Sequence, residues 1–189
     1  DRRQRQMCIR DRKDEQLLRI SSALENRLDK VIAEYQPDMI YERGYYLMSA
    51  GVNVALKHKL PHVLEINAPY YEERLELQGK TMLKKKAFQE EKKQVEGTSL
   101  LVVVSSPLKK YFVEKHNLYE GKVLVTPNAI NPSKVIVDES LQKRIREQYN
   151  LESKTTLGFL GSIFPYHGVD LLIKAFAQAS AEEHQAQLL

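Results

Sequence analysis

Two glycines, a serine and a histidine stand near the end of the chain, where a short apolar segment gives way to a helical pattern: Gly161, Ser162, His167 and Gly168. The segment Thr156–Leu160 has the length and apolar character of a buried parallel strand. Apolar residues from Val169 onward recur at helical spacing, so Gly168 opens a helix beside the carboxyl end of a strand. Free backbone N–H groups and the helix dipole at such a position bind anions, most often phosphate. An ordinary strand–helix turn, in which the glycines only provide tight geometry, is the alternative.

Glu65 and Asn67 lie at the end of another predicted strand, His62–Ile66. The carboxyl ends of parallel strands form the edge at which open α/β sheets bind ligands, so both side chains are candidates for catalysis. An asparagine cannot serve as a general base, but its amide can orient a hydroxyl group or a phosphate oxygen. The alternative for Asn67 is to cap a helix that starts near Pro69, and the two roles are compatible.

The elements that must position these side chains are short strands alternating with helices. Apolar spacing predicts helices over Asp14–Tyr35, Tyr45–His58 and Asp138–Tyr149, and strands over Asp38–Glu42, His62–Ile66, Ser99–Ser105 and Val123–Thr126. Strands that alternate with helices indicate βαβ units and a parallel sheet. The predicted fold class is therefore α/β.

Four segments of the chain, taken in order, resemble glycosyltransferase family 4. The segment GSIFPYHGVDLLIKAF, residues 161–176, resembles the opening of that family's donor domain. Residues 37–69, which begin PDMIYERGYY and end LEINAP, resemble the second half of its acceptor domain. LLVVVSSPLKKYF, residues 100–112, and KVLVTPNAINP, residues 122–132, resemble the next strand and helix and the turn before the domain crossover.

The resemblance implies a GT-B fold with two Rossmann-like domains, of which this chain would hold parts. Residues 13–126 would be the later half of the acceptor domain, residues 127–154 the interdomain connection, and residues 155–189 the first βα unit of the donor domain. The family's glycine-rich loop after the first strand of the acceptor domain has no counterpart, and the donor domain would continue beyond Leu189. We therefore expect an internal fragment.

The resemblance also implies what the full-length parent does. It would be a glycosyltransferase of the hexosyltransferase class, moving a sugar from a nucleotide-sugar donor to a glycan, lipid or small-molecule acceptor. The nucleotide-sugar is a co-substrate, and neither a cofactor nor a metal is implied. Gly161, Ser162, His167 and Gly168 would bind the donor diphosphate, where protein cations and helix N-termini stabilise the leaving group. His167 stands where the family normally has lysine, so its charge would depend on pH.

The resemblance suggests roles for four further side chains. Many relatives carry His-Asp as an acceptor-side or catalytic element near the positions of Ile66 and Asn67, which puts Glu65 and Asn67 on the catalytic side. Ser106 would contact the donor or the cleft, although Ser106-Pro107 is also a good N-cap and first-turn pair. Asn128 lies in a Pro-Asn-Ala turn where relatives usually have Pro-Asn-Gly. Its amide either faces the donor or only supports left-handed backbone geometry.

Two other functions stay open at this point. One is another GT-B enzyme, such as a sugar-nucleotide epimerase. The other is a non-catalytic nucleotide- or nucleic-acid-binding module that uses the lysine-rich segment within Tyr71–Gly97. Charges of both signs there, such as Lys86 and Glu90, favour a solvated helix, so nucleic acid is not expected and peripheral membrane contact remains the open alternative. No Gly-x-Gly-x-x-Gly follows a strand, which argues against a dinucleotide oxidoreductase.

The first twelve residues differ from the rest of the chain. Asp1–Arg12 has no apolar periodicity, and QMCIRDR within it resembles translated sequencing-adapter read-through in assembled metagenomic genes. We expect an artefactual or disordered tail, with a genuine basic tail as the alternative. The tail holds five arginines and two aspartates, so without it the net charge falls from +4 to +1 and the case for a nucleic-acid partner weakens.

Composition points to a cytoplasmic protein. The only cysteine, Cys8, lies in the tail, which leaves no disulfide and fits a reducing compartment. No stretch approaches the roughly 20 apolar residues of a membrane span. The charged N-terminus has no apolar core of a signal peptide.

We predict that the 189-residue chain alone transfers no sugar, because the resemblance places most of the donor pocket beyond Leu189. The measurement is the release of nucleoside diphosphate from common nucleotide-sugars. Turnover comparable with that of a complete family member would contradict the fragment interpretation.

Overall fold

The computed structural model describes residues 2–79, 81–135, 138–151, 154–180 and 186–189. The chain divides into two compact units, Asp1–Ala129 and Ile130–Leu189. Within the described ranges, no helix combines the length and the apolar character needed to cross a membrane.

The first unit is a four-stranded parallel sheet with five helices. Its strands are β1 (Ile40–Arg43), β2 (His62–Ile66), β3 (Leu100–Val103) and β4 (Val123–Val125), in the order β1-β2-β3-β4. Its helices are α1 (Arg2–Tyr35), α2 (Ala50–His58), α3 (Tyr70–Gln78), α4 (Lys84–Gly97) and α5 (Ser106–His116). The strand order follows the chain order, and right-handed crossovers in one direction place the connecting helices on one face of the sheet.

That covered face holds the core of the first unit. Leu64, Ile66, Leu101 and Val103 of β2 and β3 pack against Phe112 of α5, and all five side chains are almost fully buried. Residues of opposite orientation alternate with them along each strand. The register pairs Arg43 with Glu65 and Glu65 with Val102, so these three share the other face.

The other face of the sheet is the more open one. Tyr41 of β1 is 58% exposed and Leu124 of β4 is 50% exposed, whereas Leu64 on the covered face is 0% exposed. A parallel sheet normally has both faces covered. One-sided burial therefore leaves Tyr41, Arg43 and Glu65 accessible on the surface of the first unit.

The second unit is smaller and its sheet has two strands. Its elements are α6 (Glu139–Gln148), β5 (Thr155–Leu157), α7 (Val169–Ser180) and β6 (Ala186–Leu188), and β5 pairs with β6 in parallel. The prediction of a buried strand at Thr156–Leu160 is wrong in its burial, since Leu157 is 41% and Leu160 102% exposed. A two-stranded sheet offers too little neighbouring surface to bury them.

The N-terminal segment also differs from its prediction. Helix α1 begins at Arg2, so residues 2–12 are helical and the expectation of disorder is wrong for them, while Asp1 lies outside the described residues. Arginine, glutamine and methionine are good helix formers without any apolar face, which periodicity does not detect. Asp11 also accepts hydrogen bonds from Thr81 Oγ1 at 2.8 Å and from the Met82 N–H at 3.0 Å. An artefactual origin of the tail stays a prediction.

Two helix boundaries moved because of left-handed or open backbone positions. The helix predicted from Tyr45 begins only at Ala50, because Leu47 has φ 60° in the preceding turn. The charged segment after Tyr70 forms two helices, since Gly79 ends α3 with φ 75°. The predicted pair of Lys86 and Glu90 is confirmed at 2.6 Å.

We predict that Leu64→Ala and Leu124→Ala differ sharply in stability. Removal of a fully buried leucine side chain costs about 2–5 kcal/mol of unfolding free energy, because a cavity is left behind. Leu124 is half exposed on the other face, so its truncation should cost less than about 1 kcal/mol. Chemical denaturation of both variants measures the difference. Equal losses would contradict one-sided burial.

Candidate functional site

The glycine loop of the second unit joins β5 to α7. A single 3₁₀ turn, Pro165–His167, precedes Gly168, which has the left-handed angles φ 64° and ψ 25°. The Gly168 carbonyl accepts from the Leu172 N–H at 2.9 Å, so Gly168 is the residue at which α7 starts. The N–H groups of the first helical turn have no intrahelical acceptor and carry the positive end of the helix dipole. The start of a helix at Gly168, expected from the sequence, is confirmed.

The structure brings His167 and Ser162 together within this loop. Nδ1 of His167 contacts the carbonyl oxygen of Ser162. A carbonyl oxygen only accepts, so Nδ1 carries the proton, and Nε2 is the ring atom left for a ligand. Neutral Nε2 is an acceptor and would face a phosphate with a lone pair, whereas the imidazolium presents a donor and a charge.

His167 also packs against the aromatic side chains of its loop. Its ring lies 4.6 Å from the Tyr166 ring, in an edge-to-face arrangement, and 6.0 Å from the Phe164 ring. Gly161, Ser162 and His167 are all exposed. Packing beside Tyr166 and contact with a ligand through Nε2 are compatible, because they use different parts of the imidazole.

The edge of the first unit holds a small polar group around Glu65. The Tyr41 hydroxyl donates to Glu65 Oε2 at 2.6 Å, and Arg43 Nε lies 3.9 Å from Glu65 Oε1. The hydrogen bond from Tyr41, a further one from Asn67 and the charge of Arg43 together hold the pKa of Glu65 below its usual range. Glu65 is therefore ionised at neutral pH and acts as a hydrogen-bond acceptor. Sequence reasoning missed Tyr41 as its partner, because only the parallel register of β1 and β2 brings the two together.

Asn67 does not cap a helix, so the capping interpretation is wrong. Helix α3 begins at Tyr70 after Pro69, and no side chain caps it. The Asn67 amide turns towards Glu65 instead. Its Oδ1 is buried and has no hydrogen-bond partner among the described residues, which leaves an acceptor atom at this edge.

Ser106 and Asn128 lie at the ends of the neighbouring strands β3 and β4. The cap of α5 is Ser105, whose hydroxyl accepts from the Leu108 N–H at 3.4 Å, so the prediction of Ser106 as N-cap is wrong. Ser105 has the extended backbone that an N-cap needs, whereas Ser106 is already helical. Asn128 is exposed and is not among the residues with positive φ, so it does not support a left-handed turn. A donor contact of either residue stays a prediction.

The described residues show no candidate metal centre. Among them, no group of three or more His, Cys, Asp or Glu side chains is arranged to hold a metal ion.

We predict that Tyr41→Phe raises the pKa of Glu65, because the hydrogen bond from Tyr41 is the largest cause of its lowering. The stability that this lowering provides is present above the ordinary carboxyl range and is lost as the pH falls through the folded-state pKa. A carbon-detected NMR titration of the Glu65 carboxyl measures the shift, and Tyr35→Phe, at an exposed tyrosine of α1, is the control. An unchanged Glu65 titration in Tyr41→Phe would contradict the assignment.

Comparisons with known proteins agree with this fold. Residues 4–134 match the family described as Glycosyltransferase Family 4. No curated protein matches the chain significantly. A solved structure described as a glycosyltransferase from Rickettsia africae ESF-5 is 15% identical, with a TM-score of 0.57, over 88% of this chain and 42% of that chain. A second, described as an S. aureus MnaA-UDP co-structure, is 18% identical, with a TM-score of 0.48, over 89% of this chain and 43% of that chain.

The chain therefore spans less than half the length of these two solved structures. The similarity to the Rickettsia protein confirms the predicted α/β fold class with Rossmann-like units of the GT-B type. The family match covers well over half of the 189 residues. On that match, this chain belongs to Glycosyltransferase Family 4.

Proposed function

We propose that this chain is part of a glycosyltransferase that moves a sugar from a nucleotide-sugar donor to a glycan, lipid or small-molecule acceptor. The family match over residues 4–134 is the observation that carries the proposal. Dinucleotide oxidoreduction has no support in the motifs, and a sugar-nucleotide epimerase or a binding module has no observation in its favour beyond the shared α/β fold.

The donor diphosphate is assigned to the glycine loop of the second unit. Its charge increases as the sugar leaves, so preorganised donors at that position lower the barrier. The N-terminus of α7 supplies backbone N–H groups, the Ser162 hydroxyl supplies a neutral donor, and the protonated form of His167 supplies a charge through Nε2. In this proposal the nucleotide-sugar is a co-substrate and protein groups, rather than a metal, stabilise the leaving group.

Glu65 and Asn67 are assigned to the acceptor side. A carboxylate whose pKa is held low is a weak base, so Glu65 is suited to orienting a hydroxyl group rather than removing its proton. The unpartnered Oδ1 of Asn67 offers a second acceptor beside it. Ser106 and Asn128 complete the proposed set as exposed polar groups at the ends of β3 and β4.

The lysine-rich helix α4 favours a solvated surface and a cytoplasmic protein. Lys86 pairs with Glu90 at 2.6 Å and Lys92 with Glu96 at 3.6 Å, so part of the positive charge is compensated within the helix. Peripheral contact with an anionic membrane would have to rely on the remaining lysines. A nucleic-acid partner is not part of the proposal.

We predict that donor affinity falls as the pH rises from about 6 to 8, because only the imidazolium form of His167 offers a charged donor to the diphosphate. The bound diphosphate favours that form, so the extra affinity is complete at low pH and is lost as the proton leaves. His167→Lys should bind independently of pH, and His167→Gln should bind independently of pH but about tenfold more weakly.

The measurement uses the 189-residue chain with UDP-glucose, GDP-mannose and ADP-glucose, whose diphosphate diesters do not ionise in this range. NMR shifts of the Gly161, Gly168 and Val169 amides report binding at the loop. His58→Gln, in α2 of the first unit, is the matched control. A His167→Gln protein that keeps the wild-type slope would remove His167 from the site. Absence of loop shifts with all three donors would overturn the assignment of the diphosphate.

A further inference from the structure

A cavity of about 530 Å³ lies in the first unit between α1, α3 and the loop after β1. Its walls include Asp14 of α1, Tyr45 and Tyr46 of the loop, and Tyr70 and Arg74 of α3. Tyr45 follows the end of β1 and Tyr70 follows the end of β2, so the cavity lies at the same carboxyl edge as Glu65. Its volume falls within the range of about 300–1,000 Å³ that is typical of small-molecule sites.

Three buried polar groups of this wall have an atom without a hydrogen-bond partner among the described residues. They are Oδ2 of Asp14, the hydroxyl of Tyr46 and Nη1 of Arg74. Asp14 is 0% and Tyr46 7% exposed. The second Arg74 nitrogen, Nη2, donates to Asp14 Oδ1 at 2.7 Å, so this ion pair uses only one atom of each group.

Such a concentration of unpaired polar atoms calls for a ligand or ordered water. A buried donor or acceptor that loses water without gaining a partner destabilises the protein, so buried polar groups in native structures are nearly always hydrogen-bonded. Three of them at one cavity form a built polar site. The Arg74 guanidinium lies 5.7 Å from the centre of the Tyr46 ring, which keeps these groups together.

The chemistry of the three atoms restricts the ligand. Oδ2 of Asp14 accepts, Nη1 of Arg74 donates, and the Tyr46 hydroxyl does both. Burial raises the pKa of the Tyr46 hydroxyl, with a contribution from the Asp14 carboxylate, so the phenol keeps its proton. Neighbouring hydroxyl groups of a sugar or polyol present the complementary mixture of donors and acceptors.

The rest of the wall agrees with a neutral, partly apolar ligand. Tyr45 and Tyr70 form an aromatic pair with ring centres 5.7 Å apart, a surface suited to the C–H face of a sugar ring. The carboxylates of Asp14 and Glu73 also line the cavity, which disfavours phosphates and carboxylates through like-charge repulsion. A purely apolar ligand would leave the three polar atoms unpaired.

We propose that this cavity binds a neutral polyhydroxylated molecule, a sugar or a cyclic polyol, through Asp14, Tyr46 and Arg74. Its use as the acceptor subsite rests on the proposed function, because it places the ligand at the edge that holds Glu65. Binding itself is independent of any transfer reaction.

The test is ligand-observed NMR and titration of the 189-residue chain with maltose, glucose and myo-inositol as neutral probes, and with glucose 6-phosphate and glucuronic acid as charged ones. The neutral probes should bind and shift the signals of Tyr46 and Arg74, and the charged probes should bind more weakly. Tyr46→Phe removes one hydroxyl and should weaken binding about three- to tenfold, with an unchanged Tm. Tyr71→Phe is the matched control, because Tyr71 is 8% exposed and lies outside this cavity wall.

A second variant, Asp14→Asn, keeps the shape and removes the carboxylate. It should improve binding of glucose 6-phosphate relative to maltose. Lack of shifts with every neutral probe, tighter binding of the charged probes to the wild type, or unchanged binding by Tyr46→Phe would each overturn the proposal. UDP-glucose shifts at Gly161 and Gly168, recorded in the same samples, report the donor assignment separately, so either proposal can fail while the other stands.

Discussion

One-sided burial of the parallel sheet is the constraint on which the first unit depends. Leu64, Ile66, Leu101 and Val103 lose their contact with water only because α4 and α5 pack over them, with Phe112 at the centre. Hydrophobic burial of this kind is the main favourable term in folding. Since alternate residues of a strand point to opposite faces, the same packing sends Tyr41, Arg43 and Glu65 to the open side. The polar group at the carboxyl edge is therefore a consequence of the core.

Buried charges then set how the helices lie on that core. Lys115 of α5 lies 2.8 Å from Glu72 of α3 and also contacts Glu91 of α4, while His116 lies 2.8 Å from Glu91. The Lys115 ammonium is 4.4 Å from the centre of the Tyr71 ring. Buried ion pairs add little net stability, but breaking one leaves an uncompensated charge and is strongly destabilising. This network therefore favours one placement of α3, the helix that carries Arg74 and Tyr70 to the cavity.

The two units present different kinds of polar chemistry. In the second unit the groups are local: a helix N-terminus at Gly168 and an imidazole tied to Ser162 five residues earlier, a loop suited to an anion. In the first unit they come from distant parts of the chain and mix carboxylates with tyrosines and an arginine, which suits hydroxyl groups. This contrast matches the division of a transferase between a diphosphate donor and a hydroxylated acceptor.

The sequence by itself determined the features that depend on neighbouring residues. The strand His62–Ile66, the start of α7 at Val169 and the α/β class were all predicted, because apolar spacing and glycine positions act over a few residues. It did not determine that Ser105 rather than Ser106 caps α5, nor that Asn67 turns to Glu65, since these depend on backbone angles and register. Only tertiary structure paired Asp14 with Arg74, 60 residues away, and left their other atoms free at a cavity. Contacts between such distant residues arise from packing, which no local pattern encodes.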